Sequence, residues 1–541
     1  MGFAKRRHNI FMTSGKPCFA LELRLRIDSA GRRQLARDFE FARELSNATL
    51  GTVLKRREAM RQTPEWKAAG PMPKGKERNR IFRDLVKRFG IASANDFEKI
   101  LLKHSKDSGR GRQLHSNIKQ VVADNLWKAF AEWTFNGWGR PRFKSKSRGI
   151  RSLRAKSNAT GIIWKPDRKT VMYGGREYGV CIDPRDDYVR ESLRDPKEPS
   201  KWRKARYCII VRRMIRGKEQ YFVQIILDGM PPVKIIPAPL EAKAAIDPGM
   251  EYETVAFENG EILKIRISPE ANMKQSEVRR IERKMDRSRR TMNPANYCSN
   301  GTTKKGCKEW KFSKAYRLLR DELADSKRRK TASRKCVHGR FLNLLLQQAG
   351  EIRIEKNCWI AMQRSRYRKS VVRGAPSEFF KRLMCKAERA GQKAFEMSPW
   401  NIKPTQRDLV TGECRKREIW ERRVQLGDSD LFIDRDAAAA VNLLFHAPET
   451  GVRNARGIEK FLQASKQYWL DAGIAVQIKD AKRMPEKELR RVLRNGMPAS
   501  SVERLHPQTF LNGKREPGSG TAAIGCPGQT RSRPFSETGR L

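Results

Sequence analysis

Three carboxylates far apart in the chain are the side chains best suited to chemistry: Asp247 in AAIDPG, Glu355 in IRIEKN and Asp436 in IDRDAAAA. Each stands at the end of an apolar run. Taken singly, each has an ordinary structural account, because Asp-Pro-Gly is common turn chemistry and an acid opening a helix serves as a cap. As a set they offer more. A carboxylate at the end of a buried strand can hold a cation at the edge of a sheet. Two Mg²⁺ ions ~3.5–4 Å apart activate water and stabilise the leaving oxygen in phosphodiester hydrolysis. Such ions require hard oxygen ligands and bridging carboxylates. The separations are so wide that only folding could bring the three together.

The elements that must position them can be read from periodicity. Residues 244–247 form a short apolar strand, followed by a Pro-Gly turn, a strand over 252–257, an Asn259-Gly260 hairpin turn and a third strand. Residues 351–355 and 392–397 read as further strands. Phe432 and Ile433 precede Asp434, Arg435 and Asp436, and the run AAAAVNLL that follows favours helix. Upstream, residues 18–27 alternate at strand period, after which Leu35, Phe39, Ala42 and Leu45 fall on one helical face.

The expected organisation is multidomain, α+β and α/β. It comprises an N-terminal segment with a first β-domain strand over 1–27 and a helical domain over 28–136. A basic segment and β domain follow over 137–239, then the strands and basic helical insert carrying the acids over 240–447. C-terminal helices over 448–511 and a Gly/Pro/Ser/Thr-rich disordered tail over 512–541 complete the chain.

Lys and Arg number 116 against 60 Asp and Glu, a formal charge of +56 spread over the whole length. Such a surface repels itself unless a polyanion neutralises it, which makes nucleic acid the leading partner. Arg140, Arg142, Phe143, Lys144, Lys146 and Arg148 combine basic and aromatic groups in an extended stretch suited to a phosphate backbone, although its composition equally fits a disordered linker. No apolar run reaches the ~18 residues of a membrane span. The ten cysteines are scattered with no CxxC pair, a reducing-compartment pattern.

The ordered set AAIDPGMEYETVAF, a basic helical insert, IRIEKN and IDRDAAAAVNLL resembles the split RuvC-type nuclease domain of transposon-encoded TnpB proteins and their relatives, the type V CRISPR effectors. PRFKSKSRG followed by a β domain is also similar, and the insert from Met285 resembles one TnpB subgroup that lacks a zinc ribbon. The likeness spans about residues 18–445. It implies a helical recognition domain, a wedge-like β-barrel and a split RNase H-like (RuvC) nuclease domain. It further implies a bound guide RNA, target DNA as partner and Mg²⁺- or Mn²⁺-dependent DNA cleavage, in the cytoplasm of a prokaryote beside the nucleoid.

By the same resemblance, Asp247, Glu355 and Asp436 are the catalytic and metal-binding acids. Asp434 then caps the following helix, a role worth ~1 kcal/mol, and Arg435 offsets the acids, touches a phosphate or is simply solvated. Two departures stand out. Between Glu355 and Asp436 only Cys358, Cys385 and Cys414 occur, so no four-cysteine ribbon can form and no zinc is expected. Ala438 stands where the family has Asn, while Asn442 is kept. Cys298, Cys307, Cys336 and His338 match no standard zinc spacing. The expected function is therefore a TnpB-type RNA-guided DNA endonuclease associated with a transposable element. The alternatives are a guide-directed DNA-binding protein that does not cut, and a transposase-like protein, whose acids usually run Asp, Asp, Glu rather than Asp, Glu, Asp.

Overall fold

The computed structural model describes residues 17–73, 75–146, 149–267, 275–306, 309–418, 420–478 and 484–497. The expected tail over 512–541 and Arg148 lie outside them. No described helix is long and apolar enough to cross a membrane.

The first half of the chain builds helices against one sheet. β1 (Cys18–Arg26) buries alternate residues, then Asp28 caps α1 (Ser29–Gln62) by accepting the Gly31 N–H at 2.8 Å. α2 (Pro64–Ala69), α3 (Lys76–Arg88), α4 (Ala94–Asp107) and α5 (Ser116–Asn136) follow. α4 opens with a reciprocal Ser93–Asp96 capping box, and α5 ends at Gly137, whose φ of 69° suits a residue without Cβ. The stripe Leu35, Phe39, Ala42 and Leu45 is buried, as its spacing requires.

The remaining strands of this half are β2 (Ser152–Arg154), β3 (Ile162–Lys165), β4 (Thr170–Tyr173), β5 (Arg176–Cys181), β6 (Ala205–Ile215) and β7 (Lys218–Asp228), with α6 (Asp187–Leu193) between β5 and β6. Their order is β2-β6-β7-β1-β5-β4-β3, antiparallel throughout. The expected barrel is not closed: among the described residues β2 and β3 are free ends of an open sheet. The reason is local. The Asn158 side chain accepts the Trp164 N–H at 2.8 Å and donates to the Trp164 carbonyl at 3.3 Å, filling the β3 edge where a closing strand would pair. Helices and sheet share one apolar core, in which Phe39 meets Tyr221 and buried Asp38 accepts the Tyr173 hydroxyl at 2.8 Å.

The second half centres on β8 (Lys243–Pro248), β9 (Tyr252–Phe257) and β10 (Ile262–Arg266), joined by β11 (Glu351–Glu355) and β12 (Lys393–Met397). The order is β10-β9-β8-β11-β12: an antiparallel meander, then β8, β11 and β12 in parallel. Among the described residues, the helices α7 (Gln275–Met292) and the long α8 (Lys314–Gln348) lie between β10 and β11, and α9 (Trp359–Gln363), α10 (Arg368–Gly374) and α11 (Pro376–Arg389) lie between β11 and β12. One face of this sheet packs Ile246, Val255 and Ile352 against Phe341 and Leu345 of α8 and Phe379 and Leu383 of α11.

Beyond β12 and α12 (Pro399–Ile402) comes a small sheet of β13 (Arg423–Gln425), β14 (Leu431–Asp434) and β15 (Ala475–Gln477), in the order β13-β14-β15. From β14 the chain enters α13 (Arg435–Leu444), and later α14 (Ala455–Asp471) and α15 (Glu486–Arg494). The alanine run now has a physical account. Ala245 and Ala256 are cross-strand partners on the second face of the five-stranded sheet, and they share a core with Ala437, Ala438, Ala440 and Val441. Small residues on both surfaces let helix and sheet approach closely.

Candidate nuclease site

Asp247 is the next residue to last of β8, on the face that α13 covers. Glu355 ends β11, the parallel neighbour of β8. Asp436 lies in the first turn of α13, held over the strand ends by the alanine contact and two anchors. At the N-terminus, Asp434 Oδ1 accepts the N–H groups of Asp436 at 2.9 Å and Ala437 at 3.1 Å. Near the C-terminus, buried Arg353 of β11 donates to the carbonyls of Leu444 and His446 and pairs with Glu351 at 2.7 Å.

The fold thus gathers the three sequence-distant acids at one end of one sheet. Burial, then the fields of Asp436 and Glu355, push the Asp247 carboxyl well above the usual carboxylate range. Glu355 is half-buried and raised by burial, while its hydrogen-bonding contact with Asp247 favours its charge. Arg435 favours the charged form of Asp247, and its Nε lies 3.7 Å from Asp436.

Sequence reasoning missed Lys264. It lies on β10 opposite Thr254, which in turn lies opposite Asp247, so all three share the face under α13. Its Nζ is 3.3 Å from Asp434 Oδ2 and 3.2 Å from Asp436 Oδ2. Burial works against its charge, but Asp434 and Asp436 outweigh it and hold the ammonium above the usual lysine range. The available signal was a lone lysine between Leu263 and Ile265 in a strand buried on both faces.

Glu253 was also missed. It is fully buried on β9, both its oxygens lack a hydrogen-bond partner of good geometry, and burial, then Asp247, raise it. Glu253 pairs with Pro248, one residue out of step with Asp247, which places it on the opposite face of the sheet.

Among the described residues, no three His, Cys, Asp or Glu side chains converge closely enough to hold a metal ion. The donor chemistry nonetheless fits a hard divalent cation, since three oxygen donors repel one another around Asp247 in a buried setting. His338 is sealed in the core against Phe379, whereas Cys298 and Cys336 are exposed; Cys307 lies outside the described residues.

The segment expected to follow a phosphate backbone runs along α1. Asn47 accepts the Lys144 N–H at 2.8 Å and donates to its carbonyl at 2.9 Å, and Arg43 donates to the same carbonyl at 3.2 Å. Arg140, Arg142, Phe143 and Lys146 remain exposed. Lys144 does not: its Nζ turns inward to Ser46 Oγ at 3.1 Å, and burial lowers its pKa.

Residues 404–409 pack against α13. Asn442 is fully buried and donates to the carbonyls of Pro404 at 3.0 Å and Arg407 at 2.9 Å.

No protein-family profile and no curated protein matches the chain. Among solved structures, the chain is similar to a cryo-EM structure of a Cas12f1–sgRNA–target DNA complex, with 11% identity and a TM-score of 0.37 over 79% of this chain and 98% of that one. A cryo-EM structure of a CRISPR–Cas12f ternary complex matches with 13% identity and a TM-score of 0.25 over 81% of this chain and 100% of that one.

Proposed function

We propose that this chain is a TnpB-type, RNA-guided DNA endonuclease whose cutting site is formed by Asp247, Glu355 and Asp436. The observation that carries the reading is placement: Asp247 lies near the end of β8, Glu355 ends its parallel neighbour β11, and Asp436 lies in the first turn of the helix packed on that face. Burying such a cluster costs stability unless a cation or proton is shared. The strand order, with an antiparallel meander followed by parallel strands, agrees with an RNase H-like core.

In this reading the helices of the first half are a recognition domain and the open sheet takes the place of the wedge barrel. The basic surface carries a guide RNA and target DNA. A bound Mg²⁺ or Mn²⁺ would activate water and stabilise the leaving oxygen of a phosphodiester. Asp247, Glu355 and Asp436 would hold it. Lys264 pairs with Asp436, and exposed Arg422, 3.9 Å from Asp436, stands where a phosphate would approach. Association with a transposable element and a prokaryotic cytoplasmic setting belong to the same proposal.

Guide-directed binding without cutting is the second reading, and the absence of a pre-assembled metal set among the described residues favours it. One experiment separates the two. The protein is purified with its RNA, the RNA is sequenced, and matched DNA is offered with Mg²⁺. A single discrete RNA species and Asp247-dependent cutting support the proposal. Discrete RNA with tight binding and no cutting supports the second reading, and a smear of cellular RNA overturns both.

A further inference from the structure

The final described stretch, α15 and residues 495–497, lies against the candidate site. The Arg422 N–H donates to the Leu493 carbonyl at 2.8 Å, and Arg423 Nε donates to the Asn495 carbonyl at 2.6 Å. The guanidinium groups of Arg490 and Arg494 stand 5.5 and 6.0 Å from the centre of the Trp420 ring, within cation–π range. The Met497 N–H donates to Asp434 Oδ2 at 2.8 Å. Gly496 passes so close that a Cβ there would sit 2.7 Å from that same oxygen and 3.6 Å from Lys264 Nζ.

These contacts bear on one group. Asp434 is fully buried, and a buried carboxylate must have its lone pairs filled. Its Oδ1 is committed to the first turn of α13, so Oδ2 depends on Lys264 and on the Met497 N–H. Buried Arg423 is similarly dependent, with the Asn495 carbonyl joining those of Gly473 and Ile474 as its acceptors. Asp434 fixes the turn that carries Asp436, and Lys264 bridges the two acids. Whatever fixes Asp434 therefore fixes Asp436.

We propose that residues 486–497 are a positioning strap of the nuclease site. Through Trp420 and Arg422 the strap orders the segment before β13. Through the Met497 N–H and the side-chain-free Gly496 it sets the Asp434 carboxylate, and with it the reach of Asp436 toward a divalent cation. The inference rests on the nuclease reading and extends it to a stretch of chain outside the three acidic motifs.

The test uses the full chain with its co-purified RNA and Mn²⁺ as the probe. Binding is read by electron paramagnetic resonance as the part lost in Asp247→Ala. Gly496→Ala should weaken that binding by ~10-fold or more, the scale of lost outer-shell support at metal sites, with the chain still folded at the assay temperature and the DNA gel shift unchanged. Trp420→Ala should weaken it as well and speed amide exchange over residues 405–423, and Trp420→Phe should restore both. Parental Mn²⁺ affinity in both Gly496→Ala and Trp420→Ala overturns the strap. A parent chain with no Asp247-dependent Mn²⁺ signal overturns the nuclease reading itself, and the strap with it.

Discussion

The ammonium of Lys264 lies 3.2 Å from Asp436 and reaches it from β10, two strands away from the Asp247 that Asp436 is proposed to serve. Asp436 therefore has two competing attachments. Its field raises Asp247 on one side, and it is held by a lysine on the other. A divalent cation would take over the first role, and Lys264 would compete with it for the carboxylate.

Lys264→Met should destabilise the protein, because it leaves the fully buried Asp434 without its cation. Removing one member of a buried pair costs ~3–5 kcal/mol. The sign of the pH dependence follows from the raised lysine pKa. The stabilisation is complete below the usual lysine range and is lost only as pH rises through the higher folded value. The gap between parent and variant in urea unfolding should accordingly be flat across neutral pH and close only in strong alkali. Equal midpoints at pH 7 would remove Lys264 from this role.

Asp247→Ala, Glu355→Ala and Asp436→Ala should each abolish cutting while leaving guided DNA binding intact, since binding rests on phosphate contacts and base pairing elsewhere. Asp434→Asn behaves differently from a simple cap mutant. Its new amide would face both the Lys264 ammonium and the Met497 N–H, donor against donor, so loss of stability should exceed the ~1 kcal/mol of a cap. Melting curves and cleavage of one matched target, run on all four variants, check this. Full activity in Asp247→Ala would end the nuclease assignment.

What could be read from the sequence followed from local pattern. The strands ending at Asp247 and Glu355 and the helix opened by Asp434 all announce themselves by apolar period and turn chemistry. Lys264 did not, because its meaning depends on Asp434 and the first turn of α13 coming within reach of β10, contacts between residues some 170 positions apart. The barrel expectation failed for a comparable reason, since one side chain, Asn158, satisfies the strand edge that closure would have used. The basic stretch was legible as extended chain, but not the inward turn of Lys144, which Asn47 and Ser46 of α1 impose.

In metal-free buffer Asp247→Asn should stabilise the chain at neutral pH. Burial and the neighbouring acids raise the folded pKa of Asp247 above the ordinary aspartate value. Its ionisation thus costs stability that is lost as pH rises from about 4 through the folded value. The asparagine variant avoids that cost, so its advantage in melting temperature should be greatest near neutrality and vanish below about pH 4. Mg²⁺ should narrow the difference by stabilising the parent alone. A variant that melts lower than the parent at pH 7 without metal would mean that the acids are not in mutual repulsion.

Arg142 and Lys144, two positions apart in one basic stretch, should respond differently to the same substitution. Arg142 is exposed, and a contact from it to a phosphate releases counterions on binding. Arg142→Ala should weaken RNA affinity and reduce the slope of log affinity against log salt by ~1. Lys144 instead spends its ammonium on Ser46 and its backbone on Asn47, so Lys144→Ala should leave the slope unchanged and lower stability by ~1 kcal/mol, the net worth of one hydrogen bond. Asn47→Ala provides the link between them. It frees the backbone of Lys144 from α1, so affinity should fall while every basic side chain is still present. Titrations of the three variants over a range of salt, with a melting curve for each, separate charge from placement. If Lys144→Ala alone flattened the salt slope, the inward-turned lysine would be the phosphate contact and the docking of this stretch on α1 would not describe the RNA-bound chain.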